Sequence, residues 1–201
     1  MRNITPRTFV VIAIIALSFV GALAFLASSL YGSPDDRPWI RTLAARGAFP
    51  IARVDGQFVR YADYLVQQDA TRIFLHSPLT QGQPMPKELD ATGNKTILDQ
   101  LVRAAAVRSM AQTAHIQLEK ADIDRSFDAL IARAGTSTDP GEIGTYLHDA
   151  FGWDIATFKE RVVAPATLET AVRQEGYKND DAAFEKALDE KMKSAVRYIR
   201  L

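Results

Sequence analysis

The three histidines and the clustered carboxylates are the residues of this 201-residue chain best suited to proton transfer or metal binding. His76, His115 and His148 lie far apart in sequence, and none has a histidine or acidic partner at metal-ligand spacing. They read as ordinary surface or half-buried side chains. The chain has no cysteine, which excludes a disulfide framework, a thiolate metal site and a cysteine nucleophile. No G-x-S-x-G, H-E-x-x-H, phosphate-loop or dinucleotide-binding pattern occurs. Asp122 and Asp124 flank Ile123, and Asp180 adjoins Asp181; both pairs stand where helices are expected to begin. An acidic side chain there caps exposed N–H groups and favours the helix dipole. Asn94-Lys95-Thr96 has the spacing of a glycosylation acceptor, but Asn94 reads as a helix start. No catalytic set, metal site or cofactor is expected.

The elements that would hold any site are mostly helical. Gly32 to Pro38 reads as a linker, and Trp39 to Arg46 as a short helix stopped by Gly47. Two short apolar stretches around Asp55-Gly56 signal a hairpin or strand-turn. Tyr61 to Leu75 is expected to be a helix with Ala62, Leu65, Val66 and Ile73 near one face. His76 to Thr92, with Pro78, Gly82, Pro84 and Pro86, is expected to be a loop. Asn94 to Ile116 carries a broad stripe of Ile97, Leu98, Leu101, Val102 and Ala105. Ala121 to Ala134 places Ile123, Phe127, Leu130, Ile131 and Ala134 at helical spacing. A shorter helix is expected from Glu142 to Phe151. Asp154 should cap another, which Pro165 should kink or break. The last helix, from Asp181 to Ser194, carries Phe184, Leu188 and Met192 on one side.

Beyond that helix, Ala195 to Leu201 changes period and reads as a strand. A terminal strand needs a partner, and Ile51 to Val54 is the best one available. The expected fold is therefore mostly α, with a small two-stranded sheet pairing residues 51–54 with residues 196–200.

Thr8 to Tyr31 is a run without charge. As a helix it would be roughly 36 Å long, against about 30 Å of hydrocarbon. It is expected to be an uncleaved signal-anchor; its length argues against the rival reading, a signal peptide cleaved near Ala22-Leu23-Ala24. The expected organisation is a cytoplasmic tail (1–7), a transmembrane helix (8–31), a linker with a juxtamembrane helix (32–47) and one domain (48–201). Arg7 beside the span favours a cytoplasmic N-terminus, with the domain on the far side of the membrane. Lysine plus arginine equal aspartate plus glutamate at 24 each. That balance argues against nucleic acid as a partner.

What remains for function is apolar and aromatic. Tyr64, Phe74, Phe127, Phe151, Trp153, Phe158 and Phe184 are candidates to line a cradle for extended apolar segments, although each also suits a helical core. Leu75, Leu79 and Met85 lie in or beside the proline-rich loop and are candidates for exposed, adaptable apolar surface.

The order of these elements resembles a known family. Ile51-Ala52-Arg53-Val54-Asp55-Gly56-Gln57-Phe58-Val59-Arg60-Tyr61-Ala62-Asp63-Tyr64 is similar to the V-A-x-V-N-G-x-x-I-T-R-A-D-F opening of SurA-type chaperone domains, found also in the PpiD and PrsA foldases. The segments Leu98 to Ala114, Gln117 to Asp124 and Gly152 to Val162 are similar to the family's following elements, in the same order. Asp55 stands where the family usually has Asn, Tyr61 where it has Ser or Thr, and Gln117-Leu118 where it has Val-Ser.

The resemblance implies a helical chaperone domain whose terminal strand returns to the opening strand. The glycine-rich, histidine-containing pattern of a parvulin isomerase domain is absent from the sequence, so prolyl-isomerase activity is not expected. The function this implies is an ATP-independent holdase for unfolded or newly translocated polypeptides, anchored in the inner membrane and facing the periplasm. The alternative is an accessory subunit docked on one partner, such as a translocon.

Overall fold

The computed structural model describes residues 38–80, 86–134 and 139–199. The expected membrane span, Met85 and the Gly135 loop lie outside the described residues. Among the described residues, no helix is long and apolar enough to cross a membrane.

Helix α1 (Pro38–Arg46) leads into strands β1 (Pro50–Val54) and β2 (Gln57–Arg60), and then into helix α2 (Tyr61–His76). A three-ten turn (Pro78–Thr80) follows α2. Helices α3 (Ala91–Thr113), α4 (Lys120–Ala134) and α5 (Pro140–Phe151) come next. A longer rod begins with α6 (Ile155–Phe158), passes through a π turn (Lys159–Val163) into α7 (Ala164–Ala171), and ends in a second π turn (Val172–Gly176). Helix α8 (Asp181–Lys193) and strand β3 (Val196–Arg197) complete the described fold.

The molecule is mostly helical, and the opening strand does pair with the C-terminal one. Ala52 lies opposite Arg197 and Arg53 opposite Val196, in antiparallel register. The sheet has three strands rather than two, in the order β2-β1-β3. Asp55 and Gly56 both adopt positive φ (44° and 85°), the geometry of a type I′ turn, so β2 folds straight back on β1. Strand β3 is shorter than expected and stops at Arg197.

The main core lies where the sheet, α2, α3 and α8 meet. Ile51, Val54, Tyr64, Val102 and Phe184 are fully buried there, and Ala44 of α1 packs into the same cluster. A second core joins α4, α5 and the rod through Phe127, Ile143, Leu147 and Val163. Helix α2 turns Tyr61, Tyr64, Leu65 and Gln68 inward, whereas Ile73, expected on that face, is largely exposed. The physical reason is a second contact: Ile73 reaches over the end of α5, where its Cδ1 would lie 2.6 Å from a Cβ placed on Gly152. Gly152 also has φ +70°, so glycine is required there on both counts.

Three other expectations change. Helix α3 starts earlier than Asn94, capped by Asp90, whose side chain accepts from the Gly93 N–H at 2.7 Å. Asn94 instead faces α2, where its Oδ1 accepts from Tyr64 Oη (3.0 Å) and Gln68 Nε2 (2.9 Å). Arg41 of α1 donates in turn to Gln68 Oε1 at 3.0 Å, so one polar chain ties three helices together.

Pro165 does not end its helix. Asp154 caps the start as expected, accepting from the Thr157 N–H at 2.7 Å, and the backbone stays right-handed helical through Val172. The π turn just before Pro165 closes with Ala164 N–H donating to Lys159 O. That wider turn moves the preceding carbonyls off the path of the proline ring, which otherwise strikes the carbonyl four residues back. The stretch 164–176 is therefore helical although it lies beyond the proline expected to interrupt it.

Candidate functional site

Alanines and a valine on one side of α3 make an open groove. Ala104, Val107 and Ala111 recur at helical spacing and form its floor, with Arg108 among them. One wall is β2, through Gln57 to Arg60; the other is the rod, through Glu160, Arg161, Pro165 and Leu168. Two hollows of about 780 and 690 Å³ occupy this space. They share Gln57, Ala104, Val107, Arg108, Glu160 and Pro165, and so form one trough. Phe58 (53% exposed) and Val162 (37%) stand exposed among the lining residues of opposite walls.

Ion pairs fix the walls. Arg161 Nη1 lies 3.3 Å from Asp63 Oδ1, joining the rod to α2. Arg103 grips Glu169 with two hydrogen bonds, of 3.1 and 2.7 Å, joining α3 to α7. Arg173 extends that network to Glu169 (3.2 Å), Asp181 (2.7 Å) and Glu185 (2.9 Å), so α8 is held as well. Its guanidinium also lies 4.2 Å from the centre of the Phe184 ring. The Arg103 hydrogen bonds hold the Glu169 carboxyl below the usual carboxylate range, against the opposing effect of partial burial. Among the described residues, Arg60, Arg108 and Glu160 form no ion pair within the groove lining. Partial desolvation at the groove floor pushes the Arg108 guanidinium down from its ordinary value while the charge of Asp63 opposes that shift; it remains a cation.

The candidate surface residues separate into three groups. Tyr64 (0% exposed), Phe127 and Trp153 (6% each) are core residues, so the structure does not offer them as a binding surface. Tyr64 belongs to the main core, and for Phe127 and Trp153 the reason is an aromatic run that fills the space expected to be a cradle. Phe74 stacks on Phe151 at 5.5 Å, Phe151 on Trp153 at 5.7 Å, and Phe158 meets both Phe151 and Phe127 at 6.3 Å. Phe74 and Leu75 are half-buried. Leu79 is exposed (42%) and lines a separate hollow of about 540 Å³ with Pro78 and Tyr146, rimmed by Asp139, Glu142 and Asp149.

The histidines remain apart. His76 Nδ1 sits 2.8 Å from the Arg72 carbonyl and His148 lies 3.5 Å from Asp149, while His115 lines the end of the trough. Among the described residues, no three acidic or histidine side chains gather as a metal site.

No sequence motif marks Phe58, Arg60 or Arg108 as functional. The alternation in Gln57-Phe58-Val59-Arg60 carried part of the signal, because it turns Val59 inward and Phe58 outward. Nothing local to Arg108 marks it, since its setting is created by elements distant in the chain.

A scan against protein-family models, a search of curated proteins and a search of solved structures each return no match.

Proposed function

We propose that this chain is an ATP-independent holdase, tethered in the inner membrane by Thr8 to Tyr31, that shields unfolded or newly translocated polypeptides on the periplasmic side. The observation that carries this reading is the open trough between β2, α3 and the rod. It has an apolar floor, apolar side chains on its rims and charged groups along its walls. A surface of that kind suits many weak contacts with varied segments, and hence fast release. The resemblance in element order to SurA-type domains, and the strand pairing expected from it, support the same reading. The tether would raise the local concentration of a weak binder where its clients emerge. The proposed activity involves no prolyl isomerisation, cofactor or nucleic acid.

The test is light scattering of an aggregating, chemically unfolded client with the purified full chain at near-stoichiometric amounts. Suppressed scattering, with in-cell photocrosslinks from positions 58 and 162 to many secreted chains, is the expected result. Unchanged scattering, with recovery of one stoichiometric membrane partner, overturns the holdase and supports an accessory subunit instead.

A further inference from the structure

Hydrogen-bond parity in the small sheet determines what one wall of the trough can bind. The two-residue Asp55-Gly56 turn makes Val54 and Gln57 the closing pair, which exchanges both main-chain hydrogen bonds. Arg53 and Phe58 are then a non-bonded pair, and Ala52 and Val59 a bonded one. The opposite side of β1 follows the same parity, with the Tyr198 N–H donating to the Ile51 carbonyl at 2.8 Å. The Phe58 N–H and C=O therefore point away from β1. Strand β2 is an edge of the sheet, and no backbone hydrogen bond among the described residues reaches these two groups. That edge belongs to the trough wall.

Charge on the same lining narrows the occupant. Arg103 and Arg161 are neutralised by Glu169 and Asp63, whereas Arg60 on β2 and Arg108 on the floor have no ion-pair partner among the described residues. The unpaired anion, Glu160, belongs to the rod on the opposite wall. A ligand lying along β2 meets Arg60 and Arg108 on its own side, beside the Asp63 carboxylate that Arg161 holds.

The geometry points to β-strand addition: an extended polypeptide segment, apolar with an acidic side chain, pairs with the outer edge of β2 through the N–H and C=O of Phe58. Arg60 and Arg108 receive the acidic group, and alternate side chains of the segment face Ala104 and Val107. Main-chain pairing supplies affinity without reading sequence, while the guanidinium pair supplies a preference. This inference rests on the polypeptide-binding reading above and specifies how its site works.

The test uses a short fluorescein-labelled peptide that alternates valine and threonine about one central glutamate, added to the full chain. Hydrogen exchange at the Phe58 amide should slow when the peptide binds. Phe58→Ala keeps the N–H and Phe58→Pro removes it, at an edge position that tolerates proline. Phe58→Pro should bind roughly fivefold more weakly than Phe58→Ala, the loss of about one hydrogen bond. Replacing the peptide glutamate with glutamine should weaken binding to the wild-type chain. Equal affinity of the two variants, both folded by circular dichroism, overturns strand addition, as does bound peptide with unchanged Phe58 exchange. Those results leave the holdase reading standing, whereas a full chain that binds neither this peptide nor any unfolded client overturns both.

Discussion

Asp55 and Lys191, 136 positions apart in the chain, form an ion pair at the turn between β1 and β2. The same carboxylate accepts from Ser109 Oγ of α3 at 3.3 Å. One residue in a left-handed turn conformation thus joins the hairpin to α3 and α8, and the Lys191 hydrogen bond holds its carboxyl below the usual carboxylate range. Asp55 thus gives the turn a charge that Lys191 of α8 answers.

Asp55→Asn should preserve the turn, because asparagine also tolerates positive φ, and should lower stability by only about 0.5 kcal/mol, as for an exposed ion pair. Asp55→Val should cost more, about 2 kcal/mol, because a β-branched residue is strained there. Urea denaturation of the two variants checks the order.

Acid should loosen the helix network in a defined direction. Glu169 is held below its ordinary value of 4.5 by Arg103, and Asp55 below its ordinary 3.8 by Lys191. The unfolded chain binds more protons in that window, so these contributions are full above the ordinary values and are lost as pH falls through the folded ones. Glu169→Gln should be less stable than wild type at neutral pH by about 1 kcal/mol. The gap should narrow below pH 4.5 as Glu169 itself becomes protonated. Melting temperatures of both proteins across the acid range measure it.

Asn94 accepts from two side chains, and Gln68, one of the donors, is buried. Asn94→Ala should cost about 2–3 kcal/mol, because it leaves the Tyr64 hydroxyl and the Gln68 amide without that acceptor. Asn94→Asp retains an acceptor and should cost less. The midpoint of chemical denaturation separates the two.

Gly152→Ala should destabilise by about 1–2 kcal/mol, from the positive φ and the contact with Ile73. Adding Ile73→Val removes the terminal carbon that clashes, so the double variant should recover part of the loss. The remainder measures the backbone strain. A thermal-denaturation cycle of the four proteins tests it.

Phe127→Ala should lower stability by about 3 kcal/mol while leaving client capture by the remaining folded protein intact, because its ring fills a core. Val162→Asp, on the trough rim, should do the reverse: it should weaken client capture with little change in melting temperature. Paired aggregation and melting assays distinguish a groove from an aromatic cradle.

Much of the fold was legible because it depends on local rules. Asp154 as a cap, the Asp55-Gly56 turn and the α8 stripe of Phe184 and Leu188 follow from spacing and conformational preference. Proline at 165 misled because the rule against helix interiors assumes an unbroken ladder, and a π turn supplied the exception. The aromatic candidates misled for a different reason. Sequence gives a ring its size and spacing but not the neighbours that close over it, and Phe74, Phe151, Phe158 and Phe127 closed over one another.

By itself, the sequence determined the helical class, the strand that returns to the opening hairpin and the uncharged run from Thr8 to Tyr31, because each is a pattern carried by neighbouring residues. Tertiary structure alone decided which side of β2 faces the trough and which arginines of its lining form no ion pair among the described residues. Both depend on elements far apart in the chain: the return of β3 to β1, and the packing of the rod across α3. Edge exposure and charge pairing are properties of an assembled surface, and no local window of sequence encodes them.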